Sequence, residues 1–179
     1  MTLIEFFDKD TIKNILAVLT LKPERVVYIY DSAISDTKYF TALKKCFKKH
    51  ISNICVERIP VDINDVGDIY NKTCGVIEKY KNCAMELTGG SELMMIAGHK
   101  AGLDKKIKMY YTDIAAGKMM DIDDPDFEMK TEQLTLDDFM DAKGAEFVGE
   151  SHREPDEKNY DDILNMCHYI FRNLRNWSY

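Results

Sequence analysis

Short apolar runs alternate along this chain with stretches whose apolar residues recur at helical spacing. A continuous apolar run is typical of a parallel strand that is covered on both faces, and a stripe repeating every three to four residues is typical of an amphipathic helix. The strands that this pattern predicts are residues 2–7, 26–30, 54–61, 83–87, 107–112 and 119–122. A helix is predicted in each of the first four gaps between them. This alternation favours an α/β fold, a Rossmann-like and mostly parallel sheet with helices on both faces.

Polar residues with capping chemistry indicate where the predicted helices begin and end. Asp10, Asn64 and Ser91 are predicted to cap the first, third and fourth helices. Their side-chain oxygens can accept hydrogen bonds from the free N–H groups of a first helical turn. Thr135 and Gly144 predict the start and the end of a further short helix.

The pattern changes after residue 122. Residues 123–158 are predicted to be an acidic linker that contains the short helix. Residues 159–179 carry a helical apolar stripe that reaches the last residue without a stop signal. We therefore expect a domain over residues 1–122, the linker region, and the start of a helical connecting segment that is cut within the element. This organisation predicts the N-terminal portion of a longer protein.

Composition limits the partners and the compartment. A net charge of −7 disfavours direct binding to duplex DNA, which depends on basic surfaces. Four lysines of the second predicted helix (44, 45, 48 and 49) lie mostly opposite its apolar stripe, which predicts a solvated face. The five scattered cysteines are typical of free thiols in a reducing cytoplasm. No apolar run approaches the length of about 18 residues that a membrane span requires. We therefore expect a cytoplasmic protein that does not bind a membrane.

No catalytic or metal-ligating pattern is recognisable. Residues 121–126 are acidic, but they lack the glycine and the glutamate of a calcium loop, so an acidic turn is predicted. The four histidines have no metal-ligand spacing, and His99, within the fourth predicted helix, is expected to pack or to be partly exposed. We predict no catalytic residue, no metal and no cofactor, and hence a binding domain rather than a catalyst.

A Thr-Gly-Gly-Ser turn, residues 88–91, separates the fourth predicted strand from an apolar helix. Adjacent glycines permit a sharp turn and the close approach of a ligand. The N–H groups at the start of the next helix favour a phosphate or another anion. The turn is neither a P-loop nor a G-x-G-x-x-G fingerprint. It is also common as a tight structural connection, so the motif alone leaves both interpretations open.

This strand-turn-helix arrangement in the fourth βα unit resembles that of CARF domains, the CRISPR-associated Rossmann fold. Residues 2–7 (TLIEFF) and 21–27 (LKPERVV) are more closely similar to the branch that joins an N-terminal CARF domain to a C-terminal restriction-type nuclease. The resemblance covers roughly residues 1–121.

The resemblance implies a homodimer that binds a cyclic oligoadenylate, a second messenger of type III CRISPR antiviral defence, across its two-fold axis. It also implies that the domain regulates a C-terminal nuclease that is absent from this chain. The ligand contacts are implied in the loop after the first strand and in the turn, with the loop after the second strand nearby. The implied site residues are Phe7, Asp8, Lys9, Asp10, Asp31, Ser32, Thr88, Gly89, Gly90, Ser91 and Glu92.

The fourth predicted helix, residues 92–103, is apolar on nearly every side. One stripe can pack on the sheet, and the excess apolar surface needs a second partner. This excess predicts a symmetric homodimer with the helix at or near the two-fold axis.

Glu92 departs from the family pattern, because many relatives carry a lysine at that position. A carboxylate there repels phosphate, and Asp8 and Asp10 add two further negative charges. Two alternatives therefore stand beside the sensor hypothesis. One is a CARF-like dimerisation module whose pocket takes another nucleotide or none. The other is a metal-independent ring nuclease that cleaves its own ligand.

Overall fold

The computed structural model describes residues 1–34 and 38–144, which form a seven-stranded sheet flanked by five helices. The elements are β1 (Thr2–Phe6), α1 (Ile12–Leu21), β2 (Arg25–Asp31), α2 (Lys38–His50), β3 (Cys55–Val61), α3 (Val66–Lys79), β4 (Cys83–Glu86), α4 (Glu92–Lys105), β5 (Lys108–Asp113), β6 (Lys118–Asp121), β7 (Glu128–Lys130) and α5 (Leu136–Lys143). The strand order is β3-β2-β1-β4-β5-β6-β7. Strands β1 to β5 pair in parallel, and β6 and β7 are antiparallel. The predicted fold class is confirmed.

Two apolar cores lie on opposite faces of the sheet. Successive strand residues point to opposite faces. Leu3 accordingly belongs to the cluster beneath α1, α2 and α5, and Ile4 belongs to the cluster beneath α3 and α4. Because both faces of the central strands are covered, alternate positions need not be polar, and this explains the continuous apolar runs in the sequence.

Two of the predicted helix caps are wrong by one residue. Helix α1 begins after Thr11, whose side chain makes no capping bond, while the Asp10 carboxylate pairs with Lys143. Helix α3 is capped by Asp65, which accepts from the N–H groups of Gly67 and Asp68. Asn64 instead donates its own N–H to Asp62 in the preceding turn, so the helix starts one residue later.

The remaining predicted helix ends are confirmed. The Ser91 side chain accepts from the N–H of Met94 at 3.3 Å. Thr135 and Asp138 form a reciprocal capping box at the start of α5. Gly144 ends that helix with a φ of 63°, a left-handed conformation that glycine adopts without strain.

Strand β7 lies in the segment that was predicted to be an acidic linker. It pairs with β6, and of its three residues only Met129 packs against the core. A three-residue strand with charged ends is too short to show an alternating pattern, so the sequence gives no signal for it. The domain boundary at residue 122 stays a prediction, and residues 145–158 of the predicted linker and the predicted final helix lie outside the described residues.

Within residues 1–34 and 38–144, no helix is both long and apolar enough to cross a bilayer. The four cysteines of this part of the chain are free thiols.

Candidate functional site

The carboxyl ends of β1 and β4 lie side by side at the centre of the sheet. From β1 the chain progresses outward through β2 to β3, and from β4 it progresses in the opposite direction through β5. The β1–β4 boundary is therefore the switch point of this sheet, where open α/β folds bind their ligands. The loop after β1 and the turn after β4 leave the sheet at this boundary, so the topology brings together the two loops that the sequence singled out.

Glycine at positions 89 and 90 lets the turn contact β1 directly. A Cβ atom at Gly89 would lie 2.6 Å from the backbone oxygen of Phe6, and one at Gly90 would lie 2.6 Å from the Cβ of Phe6. Gly90 also has a φ of +87°, which a residue with a side chain rarely adopts. Larger residues at either position would push the two loops apart.

Asn14 holds the loop after β1 in place, and the sequence analysis missed it. Its side chain is buried, accepts the N–H of Asp8 at 3.0 Å and donates to the oxygen of Phe6 at 3.2 Å. The available signal was an amide side chain directly before the apolar run of α1, residues 15–19. Such a residue is buried only when its polar atoms are satisfied.

The hydroxyl groups of the turn are committed to its own structure. The Thr88 hydroxyl donates to the Glu86 carboxylate and accepts the N–H of Thr112 at 2.7 Å. The Ser91 hydroxyl accepts from α4 as its N-cap. The Thr88 hydroxyl thus holds the turn against the sheet, and the Ser91 hydroxyl caps α4.

The backbone of the turn supplies the available donors. Among the hydrogen bonds of residues 1–34 and 38–144, none is donated by the N–H groups of Gly89, Gly90 or Ser91. These groups precede the N-terminus of α4, where the helix dipole adds positive potential. Free N–H groups at a helix N-terminus form a site for an anion.

Lysine side chains neutralise the acidic residues of the loop after β1. The ammonium group of Lys13 lies 2.9 Å from Asp8, and that of Lys143 lies 2.7 Å from Asp10. The hydrogen bond to Asp8 raises the pKa of Lys13 above its ordinary value, so Lys13 remains charged. Lys9 is exposed and has no ion pair within the described part of the chain. Two of the three carboxylates that the sequence placed near the site are thus paired.

Glu92 differs from those two aspartates. It is the first residue of α4, it is exposed, and no lysine, arginine or histidine of the described residues pairs with it. Its charge stabilises the helix N-terminus, but it also remains available to repel an anion at the turn.

The other predicted site residues have structural contacts of their own. Phe7 is buried, with its ring centroid 4.6 Å from that of Phe40 and 6.3 Å from that of Tyr28. Asp31 accepts the N–H of Ala33, and the N–H of Ser32 donates to Val61. No hydrogen bond within the described residues joins Asp31 or Ser32 to the turn. Ligand contacts by these three residues stay predictions.

Helix α4 packs on the sheet through Met94 and four small residues, and it exposes three large ones. The buried residues of this helix include Ala97, Gly98, Ala101 and Gly102. On its outer face, Leu93, Ile96 and Leu103 are 38%, 61% and 50% exposed. Tyr111, two residues after the core residue Met109 on β5, is also exposed and lies on the same face of the sheet as α4. We call Leu93, Ile96 and Leu103 the outer face of α4.

No group of three or more His, Cys, Asp or Glu side chains within the described residues is placed to hold a metal ion.

These features define a Rossmann-like α/β domain with a candidate anion site at the switch point of its sheet. A family model described as the Card1 CARF domain matches residues 2–139, which is more than half of the chain. The chain therefore belongs to the CARF family, and the resemblance inferred from the sequence is confirmed.

Solved structures with similar folds are known. Can2 from Sulfobacillus thermosulfidooxidans, solved in complex with cyclic tetra-adenylate, has a TM-score of 0.69 at 13% identity over 79% of this chain and 39% of its own. Protein VC1899 from Vibrio cholerae has a TM-score of 0.67 at 11% identity over 79% and 38%. A type III CRISPR defence DNA nuclease activated by cyclic oligoadenylate has a TM-score of 0.68 at 16% identity over 98% and 28%.

At these identities the likeness concerns the fold. The chain spans less than two fifths of the length of each of these three structures, with shares of 39%, 38% and 28%. No curated protein matches the chain.

Proposed function

We propose that this chain is a ligand-sensing CARF domain that binds a cyclic oligoadenylate, as a homodimer, in type III CRISPR antiviral signalling. It would regulate a nuclease domain C-terminal to it. The observation that carries the proposal is the turn at the switch point, where the N–H groups of Gly89, Gly90 and Ser91 have no partner within the described residues. The ligands named for two of the similar structures, cyclic tetra-adenylate and cyclic oligoadenylate, contain the phosphates that such donors bind.

The pairing of Asp8 with Lys13 and of Asp10 with Lys143 supports this proposal, because it lowers the negative potential that a polyphosphate would meet. The outer face of α4 supports the homodimer, since an isolated subunit would expose these apolar side chains to water. The free thiols support a reducing compartment, and we place the protein in the cytoplasm.

Isothermal titration calorimetry with cyclic tetra-adenylate and cyclic hexa-adenylate tests the proposal, with linear tetra-adenylate as the control ligand. We expect saturable binding of one cyclic ring per dimer, and weaker binding of the linear chain. Gly89→Val should abolish binding, because its side chain would collide with the backbone of β1 and displace the donors. Absence of heat with both rings would overturn the proposal.

A second candidate function is a CARF-like dimerisation module whose pocket takes another nucleotide or none. Glu92 favours it, since this exposed carboxylate lies at the helix N-terminus where a phosphate would bind. A dimer that binds neither cyclic ring would support this alternative.

A further inference from the structure

Two glutamates are buried side by side beneath the candidate site. Glu5 on β1 and Glu86 on β4 are register partners in adjacent parallel strands, and each is 1% exposed. Adjacent strands lie about 4.8 Å apart, and paired residues point to the same face. This face is the one beneath α1, since Tyr28 of the α1 core acts on Glu5 from the neighbouring strand β2. Two ionised carboxylates cannot share such a site without a large free-energy cost.

The hydrogen bonds of the two glutamates differ. Glu86 accepts both the N–H of Thr88, at 3.0 Å, and the hydroxyl of Thr88. Neither carboxyl oxygen of Glu5 has a hydrogen-bond partner within the described residues, and the nearby Tyr28 hydroxyl donates instead to the backbone oxygen of Asn14. Glu86 is therefore placed to act as an ionised acceptor, and Glu5 is placed in surroundings that suit a neutral acid.

We propose that Glu86 is the positioning residue of the turn formed by residues 88–91, and that Glu5 carries the proton that allows the two carboxyl groups to be buried together. Glu86 accepts a hydrogen bond from the hydroxyl of Thr88, which is also bonded to β5. Gly89 and Gly90 follow Thr88 directly, so Glu86 fixes the start of the turn. The orientation of the free N–H groups then depends on a side chain that is itself buried. This inference rests on the proposed function for its effect on binding, but not for its effect on the turn.

The electrostatic surroundings agree with this assignment. Burial raises the pKa of Glu5 well above its ordinary value, and the charge of Glu86 raises it further. The polar groups of Tyr28 and Asn14 nearby act in the opposite direction. Burial also raises the pKa of Glu86; the hydrogen bonds from Thr88 and the nearby polar groups of Thr112 reduce that rise without cancelling it. The titratable groups that share this face include Tyr28 on β2, the thiol of Cys46 on α2 and Tyr110 on β5, the register partner of Glu86.

The pH dependence of stability has a definite sign. A carboxyl group with a raised pKa keeps its proton in the folded state after the unfolded chain has lost it. The stability that it contributes is complete below about pH 4, the ordinary value for glutamate, and is lost as the pH rises toward the raised value. Between about pH 5 and that raised value, the melting temperature of the wild type should therefore fall by about 3–5 °C for each pH unit. In Glu5→Gln this decline should be largely absent.

Three variants test the inference. Glu86→Gln keeps the size of the side chain but cannot accept both bonds from Thr88. We expect faster hydrogen exchange of the amides of residues 88–91 and at least about tenfold weaker binding of cyclic tetra-adenylate. Thr88→Val removes the hydroxyl that donates to Glu86, and it should produce both effects. It therefore tests the same contact even if Glu86→Gln fails to fold. Glu57→Gln is the matched control, because Glu57 accepts hydrogen bonds from Tyr80 and Lys79 on the β3 side of the sheet.

The outcomes separate the inference from the proposed function. If the wild type binds no cyclic oligoadenylate, the proposed function fails, and the exchange and pH measurements still decide the inference. Unchanged exchange at residues 88–91 in both Glu86→Gln and Thr88→Val would overturn the positioning role. An unaltered pH decline in Glu5→Gln would overturn the placement of the proton. Faster exchange at the turn in Glu57→Gln would also overturn the inference, since the turn would then respond to any loss of stability.

Discussion

Single side chains decide the charge at the candidate site. The sequence predicts three carboxylates near this site, those of Asp8, Asp10 and Glu92. In the structure the first two are paired with lysines. Lys143 reaches Asp10 across 133 positions of the chain. Its contribution could not be read from the sequence, because nothing local to either residue indicates that they meet. Glu92, in contrast, keeps the unpaired charge that its position in the sequence suggested.

Replacing Glu92 with lysine should strengthen ligand binding. The change converts repulsion of a phosphate into attraction, so the affinity for cyclic tetra-adenylate should rise at least about tenfold at low salt and less at high salt. Calorimetric titration at two salt concentrations measures both effects. The same change removes an acidic residue from the first turn of α4 and should lower helix stability by about 0.3–1 kcal/mol.

Binding and stability should thus change in opposite directions in this variant. Glu92→Gln should lie between wild type and lysine in affinity, and Glu128→Lys on β7 should leave affinity unchanged. Weaker binding by Glu92→Lys would mean that Glu92 is a specific ligand contact rather than an unfavourable charge.

At the scale of elements, α5 is attached to α2 by buried acidic residues. Asp138 is 2% exposed and lies 2.5 Å from the imidazole of His50, and Asp141 pairs with Lys45 and Lys49. Burial by itself would raise the pKa of Asp138, but the bonds from His50 and Thr135 outweigh it and hold the pKa below its ordinary value. The attachment of α5 therefore depends on ionised carboxylates.

Asp138→Asn should destabilise the domain at neutral pH. The stability that a carboxylate with a lowered pKa contributes is present above about pH 4 and is lost as the pH falls through the lowered value. We expect a loss of about 1–2 kcal/mol at pH 7, from the capping box and the contact with His50, and a smaller difference at pH 3. Urea denaturation at the two pH values measures it. The exposed neighbour Asp137→Asn should cost much less, and an equal loss in both variants would contradict the role of Asp138.

The elements that could be predicted are those whose signals are local. Ser91 and Thr135 cap their helices as expected, because a cap needs only the residues of one turn. The prediction for Asn64 was wrong because Asp65 competes for the same role one position later. The Glu5–Glu86 pair depends on strand order, which the sequence does not state. Its visible signal was a charged residue within each of two apolar runs.

At the scale of the whole molecule, the outer face of α4 is the most conspicuous unpartnered apolar surface on the described part of the chain. Helices of a doubly wound sheet bury their apolar stripe against the strands, and α4 does this through Met94 and four small residues. The outer face points away from the sheet, where a second copy of the chain would cover it. In the proposed dimer this face would lie at the centre of an interface, which needs about 800 Å² from each partner.

Ile96→Glu should convert the proposed dimer into a monomer, because it would bury two carboxylates near the two-fold axis. Sedimentation velocity at tens of micromolar measures the state directly. Leu136→Glu is the control: Leu136 is 43% exposed, compared with 61% for Ile96, and it lies on α5. A wild-type monomer at these concentrations would contradict the proposal, as would dissociation by both variants.

Ser91 connects the turn directly to α4, because it is both the last residue of the turn and the N-cap of the helix. The helix has 14 residues and is about 21 Å long. The same helix carries the outer face, which consists of Leu93, Ile96 and Leu103. A tilt of about 5° at the turn moves the far end by about 2 Å, enough to change how two packed surfaces fit. In a dimer formed through this helix, the angle between the two subunits would therefore depend on whether the turn holds a ligand.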